Sequence, residues 1–311
     1  MCFERKVEIM DWLGFLILAF LVACFVLANF CKTNVIPSVK PNNSWFGSNK
    51  DKTATEVLFL SLAVCWISYF AVIVSTGVYH QFRRWEYLYV CGPMALVYVV
   101  VPYALGMEAE KPFLERYYVK ANAWIAILSY VGNFYWTHHF YNLLGAKYTF
   151  DAHRLNDVPI SMYLATHAYF CFYHSLTNVC IRRMRRTATF VRSTESQQLL
   201  LNSVFIGALA YVTAFMETKT IEGFQYWEFE NRDRALVVGS VVYMLYFIVS
   251  FPMFLRVDES GATTSNRRVT RSTSKQKSGW SMSRVLWDSL GSCMLVTILL
   301  DIWRLLIGRV Y

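Results

Sequence analysis

Apolar residues run along this chain in stretches long enough to cross a bilayer, separated by short polar segments. A bilayer core of roughly 30 Å takes about 20 helical residues, and eight stretches qualify: Trp12 to Phe30, Val57 to Val78, Tyr87 to Leu105, Val119 to Tyr141, Val158 to Ile181, Leu199 to Thr218, Ala235 to Leu255 and Val285 to Ile307. None alternates with period two, and backbone groups in lipid must be satisfied within the segment, so the stretches predict helices rather than a barrel. The expected fold is all-α, a polytopic transmembrane bundle of about eight helices. Seven form a compact core. The first is set apart by a polar linker containing Pro37 and Pro41, which predicts an N-terminal anchor helix and linker over 1–43 and a membrane domain over 44–311. The stretch 258–283 is rich in Ser, Thr, Arg and Lys and has little to bury, so it is expected to be disordered.

Composition agrees with this class. Of 311 residues, 56% are hydrophobic and only 16% are charged, against roughly 25% charged in soluble domains. The net charge of +9 is concentrated in two loops, one carrying Arg182, Arg183, Arg185, Arg186 and Arg192 and the other Arg256, Arg267, Arg268, Arg271, Lys275, Lys277 and Arg284. Positive-inside bias accounts for such an excess, so no nucleic-acid partner is implied. The eight cysteines contain no C-x-x-C pair, and neither a disulfide framework nor a metal site follows from them.

Ionisable groups at membrane depth are the features hydropathy does not explain, and each is a default hypothesis of function. Tyr163, His167, Cys171, His174 and Asn178 share one face of the fifth stretch, and Asn122, Ser129, Asn133 and Trp136 make a comparable stripe in the fourth, ending at His138. Glu217 is flanked by Ala214, Phe215 and Met216, where a carboxyl is a competent proton donor. Asp301 and Arg304 are three apart near a helix end, a spacing that also suits a local ion pair. Six histidines without an H-x-x-x-H box exclude the histidine-rich di-iron membrane enzymes, and no Gly-rich phosphate loop or nucleophile elbow is present.

The ordered blocks Glu115 to Trp124, Ser129 to His138, Leu144 to Phe150, Asn156 to Pro159, Phe172 to His174, Phe247 to Phe254 and Leu300 to Leu306 closely resemble the cycloeucalenol cycloisomerases, also called cyclopropyl sterol isomerases. The resemblance spans roughly Ser44 to Gly308; the first helix and the length of the seventh loop lie outside it. It implies a cofactor-independent intramolecular isomerase of sterol biosynthesis, a multi-pass protein of the endoplasmic reticulum in contact with membrane lipid. Its substrate would be a 4α-methyl 9β,19-cyclopropyl sterol, cycloeucalenol, opened to the Δ8-sterol obtusifoliol. Protonation at C19, positive charge near C9 and loss of a proton from C8 require an acid in a dry site and aromatic faces for the cation. Among the positions the motif match shares with the family, Glu217, His138, His167, His174 and Asp301 are read as the candidate catalytic groups. Asn133, Trp136, Tyr130, Tyr135 and Tyr173 are the candidate substrate-binding groups, with Asn133 or Thr137 as anchor for the sterol 3-hydroxyl. Two further readings fit the same residues, a Δ8-Δ7 sterol isomerase and a sterol-binding or transport protein without turnover.

Overall fold

A computed structural model describes residues 2–39, 45–222, 226–259, 279–306 and 308. Eight long helical segments cross the described part of the molecule, as the apolar stretches predict. These are α1 (Cys2–Phe30), α2 (Lys50–Thr76), α3 (Arg84–Ala104), α4 (Tyr117–Val131) continuing into α5 (Thr137–Leu144), α6 (Ile160–Arg185), α7 (Glu195–Glu222), α8 (Ser240–Leu255) and α9 (Met282–Leu306). Six of the eight are long and apolar enough to span a membrane by composition alone. The two that fall short, α4–α5 and α6, carry the polar stripes. The protein is therefore a multi-pass membrane protein.

Local chemistry sets the ends. Asn49 caps α2 by accepting from the Asp51 and Lys52 amides, and Gly77 ends it at φ 66°, a left-handed conformation that glycine adopts without steric cost. Between α4 and α5 the helix widens into a π-turn, Gly132–Trp136, in which Thr137 bonds back to the Gly132 carbonyl. The extra residue rotates everything after it relative to a regular helix. A second π-turn, Ala235–Gly239, precedes α8, and a Cβ on Gly239 would come within 2.8 Å of the Leu144 side chain, so a larger residue there would displace Leu144.

α1 packs against the core helices. Its Leu13, Phe20, Cys24 and Ala28 are buried in the same cluster as the core helices, Phe20 stacks on Tyr69 at 4.6 Å, and α1 packs on α2 and α3. Small side chains at Cys24, Ala28 and Cys31 let the backbones approach, the usual solution where lipid supplies no hydrophobic drive between helices. Phe15, Leu18, Val22 and Val26 remain exposed on its outer face.

One end of the bundle is locked by charge. Arg182 bonds Glu56 (2.6 and 2.9 Å) and Glu259 (2.7 Å to each oxygen), Lys52 bonds Glu259 at 2.9 Å, and Lys120 pairs with Asp258 at 2.9 Å. Lys52 also donates to the Val257 carbonyl at 2.7 Å, satisfying the backbone beyond α8. Asp258 and Glu259, assigned by composition to the disordered stretch 258–283, are thus held in place, and Asp258 also accepts from the Trp280 amide; 260–278 lie outside the described residues. The opposite end carries short ladders absent from the all-helix expectation. β1 (Lys147–Tyr148) pairs antiparallel with β4 (Trp227–Glu228), and β2 (Arg154–Leu155) with β3 (Val158–Pro159) across Asn156 and Asp157, both at positive φ as a tight hairpin requires.

Candidate active site

Helices α4 to α8 converge below the β1–β4 ladder, and two cavities meet there. The smaller, about 670 Å³, is bordered by Asn133, Thr137, Phe140, Phe170, Tyr243 and Tyr246. The larger, about 970 Å³, is bordered by Phe70, Ile73, Phe82, Val90, Met162 and Tyr169. Tyr148, Thr166, Glu217 and Trp227 line both. Tyr148 and Trp227 face each other across the ladder with rings 3.9 Å apart, roofing the junction.

Glu217 is the ionisable side chain at that junction. It sits near the end of α7 and is 7% exposed. Tyr243 of α8 donates its hydroxyl to Oε1 at 2.8 Å, and the Tyr173 phenol lies beside the same carboxyl. Oε2 has no hydrogen-bond partner among the described residues. A hydroxyl donated to Oε1 makes that oxygen the acceptor, so the proton of a neutral Glu217 belongs on Oε2, the unpartnered oxygen. The carboxyl's described partners are phenols rather than cations. This geometry suits a proton donor facing an apolar substrate.

The other candidates divide. Asn133 lines the smaller cavity, its amide donating to the Ser129 carbonyl at 2.8 Å. Tyr173 joins Glu217. His167 donates through Nε2 to Asn122 Oδ1 at 2.9 Å, because the Asn122 amide nitrogen already bonds the Tyr98 and Tyr118 carbonyls; the contact ties α4 to α6 outside both cavity linings. His174 is fully buried among Trp124, Phe170, Phe251 and Phe254. Its Nδ1 must carry the proton given to the Phe170 carbonyl at 2.8 Å, leaving Nε2 to accept from the Ser250 hydroxyl at 2.9 Å. Both nitrogens are engaged in helix packing.

The remaining five lie away from the junction. Trp136 is fully buried, its indole donating to Thr297 at 2.9 Å and its ring meeting Tyr246 edge-on at 4.5 Å. His138 bonds the Asn156 carbonyl at 3.1 Å in the hairpin. The π-turn accounts for both positions, since the stripe from Asn122 to His138 assumes a regular helix. Tyr130 and Tyr135 are exposed, at 46% and 58%. Asp301 forms the local pair with Arg304 at 3.4 Å, both about half exposed. Tyr148, Thr166, Tyr243 and Tyr246 are site residues that the sequence does not distinguish from membrane-belt and core aromatics. Among the described residues, no group of three or more His, Cys, Asp or Glu could hold a metal ion.

No family model and no solved structure matches the chain. A curated relative, the cycloeucalenol cycloisomerase of Arabidopsis thaliana, is 38% identical over 269 residues, covering 86% of this chain and 90% of its own length. The ordered blocks, the helical bundle and this identity agree, and the chain belongs to the cycloeucalenol cycloisomerase family.

Proposed function

We propose that the protein opens the 9β,19-cyclopropane ring of cycloeucalenol to give the Δ8-sterol obtusifoliol, with Glu217 as the acid. The observation that carries this reading is the Glu217 carboxyl at the junction of two cavities, one oxygen held by Tyr243 and the other unpartnered. Oε2 gives its proton to C19 as the C9–C19 bond breaks, so that the bonding pair becomes the new C–H bond of the C19 methyl and C9 is left cationic. Loss of the C8 proton supplies the pair for the C8–C9 double bond. The carboxylate formed on Glu217 is a base next to that position, and taking the C8 proton restores the neutral acid. Substrate and product are isomers, so no oxidant or reductant enters.

Tyr243 is a positioning residue in this scheme. Its hydroxyl keeps Oε1 the acceptor and stabilises the carboxylate while the cation exists. The rings of Tyr169, Tyr173, Tyr148 and Trp227 supply π faces around the junction. The endoplasmic reticulum is the compartment this reading assigns, checked by co-localisation with a resident marker. Incubating membranes that contain the chain with cycloeucalenol and analysing the sterols tests the function. Ring-opened Δ8 product is expected, whereas binding without conversion, or an unchanged cyclopropane together with Δ8-to-Δ7 migration in a Δ8-sterol supplied separately, would overturn the reading.

A further inference from the structure

The two cavities differ in chemistry, and the difference has a direction. On one side of Glu217 the smaller cavity gathers Asn133, Thr137, Thr218, Tyr243 and Tyr246; on the other the larger one is walled by Phe70, Ile73, Phe82, Val90 and Met162 together with tyrosines, of which Tyr87 is bonded to the Tyr79 carbonyl and Tyr226 to His80. A cyclopropyl sterol has the same order along its length: a hydroxyl on the first ring, the cyclopropane between the second and third, and an alkyl side chain on the fourth. Within the smaller cavity most donors are already engaged. The Asn133 amide is bonded to the Ser129 carbonyl and the Thr137 hydroxyl to the Gly132 carbonyl at 3.3 Å, while Tyr243 holds Glu217. Tyr246 differs. It is 4% exposed, is fixed by ring contacts to Trp136 at 4.5 Å and Tyr243 at 4.9 Å, and has no hydrogen-bond partner for its hydroxyl among the described residues. A buried hydroxyl without a partner loses free energy that a bound polar group would restore.

We infer that the sterol binds with its 3-hydroxyl in the smaller cavity on the Tyr246 hydroxyl and its side chain in the larger cavity, which makes Tyr246 the residue that selects for a hydroxylated first ring. The inference rests on the sterol-isomerase reading and adds the direction of binding and the group that reads the hydroxyl. Tyr246 lies one helical turn from Tyr243 on α8, so a single helix presents both the partner of the acid and the anchor of the substrate. The Trp136 contact gives the tryptophan a role consistent with its burial: it holds the Tyr246 ring and leaves that ring's hydroxyl free to bond the substrate.

Two measurements on the full-length protein in membranes test this. In the first, Tyr246→Phe and the native protein, matched for inserted amount, are compared on cycloeucalenol and on its 3-deoxy analogue. A lost hydrogen bond predicts a KM about tenfold higher for the hydroxylated sterol in the variant, with no difference between the two proteins on the deoxy analogue. Equal losses on both substrates would overturn the assignment, because they would mark Tyr246 as packing alone. The second uses a cycloeucalenol probe with a photoreactive diazirine at the end of the side chain. Labelling is expected on α2 around Phe70 and Ile73 or on α6 around Met162, and labelling of 133–140 would reverse the orientation and refute the proposal. Labelling does not depend on turnover, so a chain that labels as expected yet forms no Δ8 product fails the isomerase reading and leaves the binding direction standing.

Discussion

Replacing Glu259 by Gln removes one of the two anions that face Lys52 and Arg182, leaving them to share Glu56 alone. Lys52, Glu56 and Arg182 have side chains only 2%, 1% and 5% exposed, so water offers little compensation for the surplus positive charge. Burial by itself pushes the Glu259 carboxyl up, but the hydrogen bonds and charges of Arg182 and Lys52 outweigh it and hold the group at about 2. Against the ordinary carboxylate value near 4.3, that depression corresponds to about 3 kcal/mol of stability, close to the lower end of the roughly 3–5 kcal/mol lost when one member of a buried pair is removed. Because the folded value is the lower one, this contribution is complete above about pH 4.5 and is lost as the pH falls toward 2. Thermal unfolding of native and Glu259→Gln protein in a non-ionic detergent, followed by loss of the monodisperse species at several pH values, reads it directly. The variant is expected to unfold several degrees lower at pH 5 and pH 7, with the two proteins converging toward pH 2. Equal stability at neutral pH, or a gap that persists undiminished at pH 2, would refute the reasoning.

Other substitutions separate chemistry from packing. Tyr243→Phe should lower kcat at least tenfold with little change in KM, because its hydroxyl acts on the acid rather than on the ground-state sterol; an unchanged kcat would remove it from the mechanism. Where Glu217 exchanges its proton with solvent between turnovers, ring opening in D₂O should place a single deuterium in the C19 methyl, and label scattered over neighbouring carbons by NMR would contradict the path. Trp136→Leu should lower thermal stability by about 3 kcal/mol through lost volume and the lost bond to Thr297, with an amine inhibitor and its neutral analogue weakened equally; selective weakening of the amine would put the indole beside the cation. Ala28→Leu should weaken the packing of α1 and lower the unfolding temperature while kcat holds, since α1 contributes no residue to either cavity; a matching fall in kcat would couple α1 to the site.

The helices were legible because a long apolar run has few alternatives in a bilayer, and Glu217 was legible because a carboxyl in such a run has no cheap structural excuse. The arrangement around it was less so. Tyr243 and Tyr246 sit in an apolar helix where a tyrosine reads as core, and only the convergence of α7 and α8 shows what their hydroxyls face. The stripe from Asn122 to His138 brings Asn133 to the smaller cavity but not Trp136 or His138, because a π-turn inserts one residue into the period, and nothing in Gly-Asn-Phe-Tyr-Trp announces it. His174 was legible as a buried group, yet its partner Ser250 is 76 residues away. Arg182 counted among loop charges in the sequence, and its burial depends on Glu56 and Glu259, which meet it only when α2, α6 and the end of α8 pack together.

The central claim is that Glu217 delivers the proton that opens the ring, and the rate of cycloeucalenol conversion by Glu217→Gln tests it most directly. The amide preserves shape and can still accept from Tyr243 but cannot donate an acidic proton, so turnover per inserted molecule should fall by about 100-fold or more, while the diazirine probe still labels the larger cavity. Turnover near the native rate in a variant that inserts and binds sterol would contradict the account and move the acid to another group.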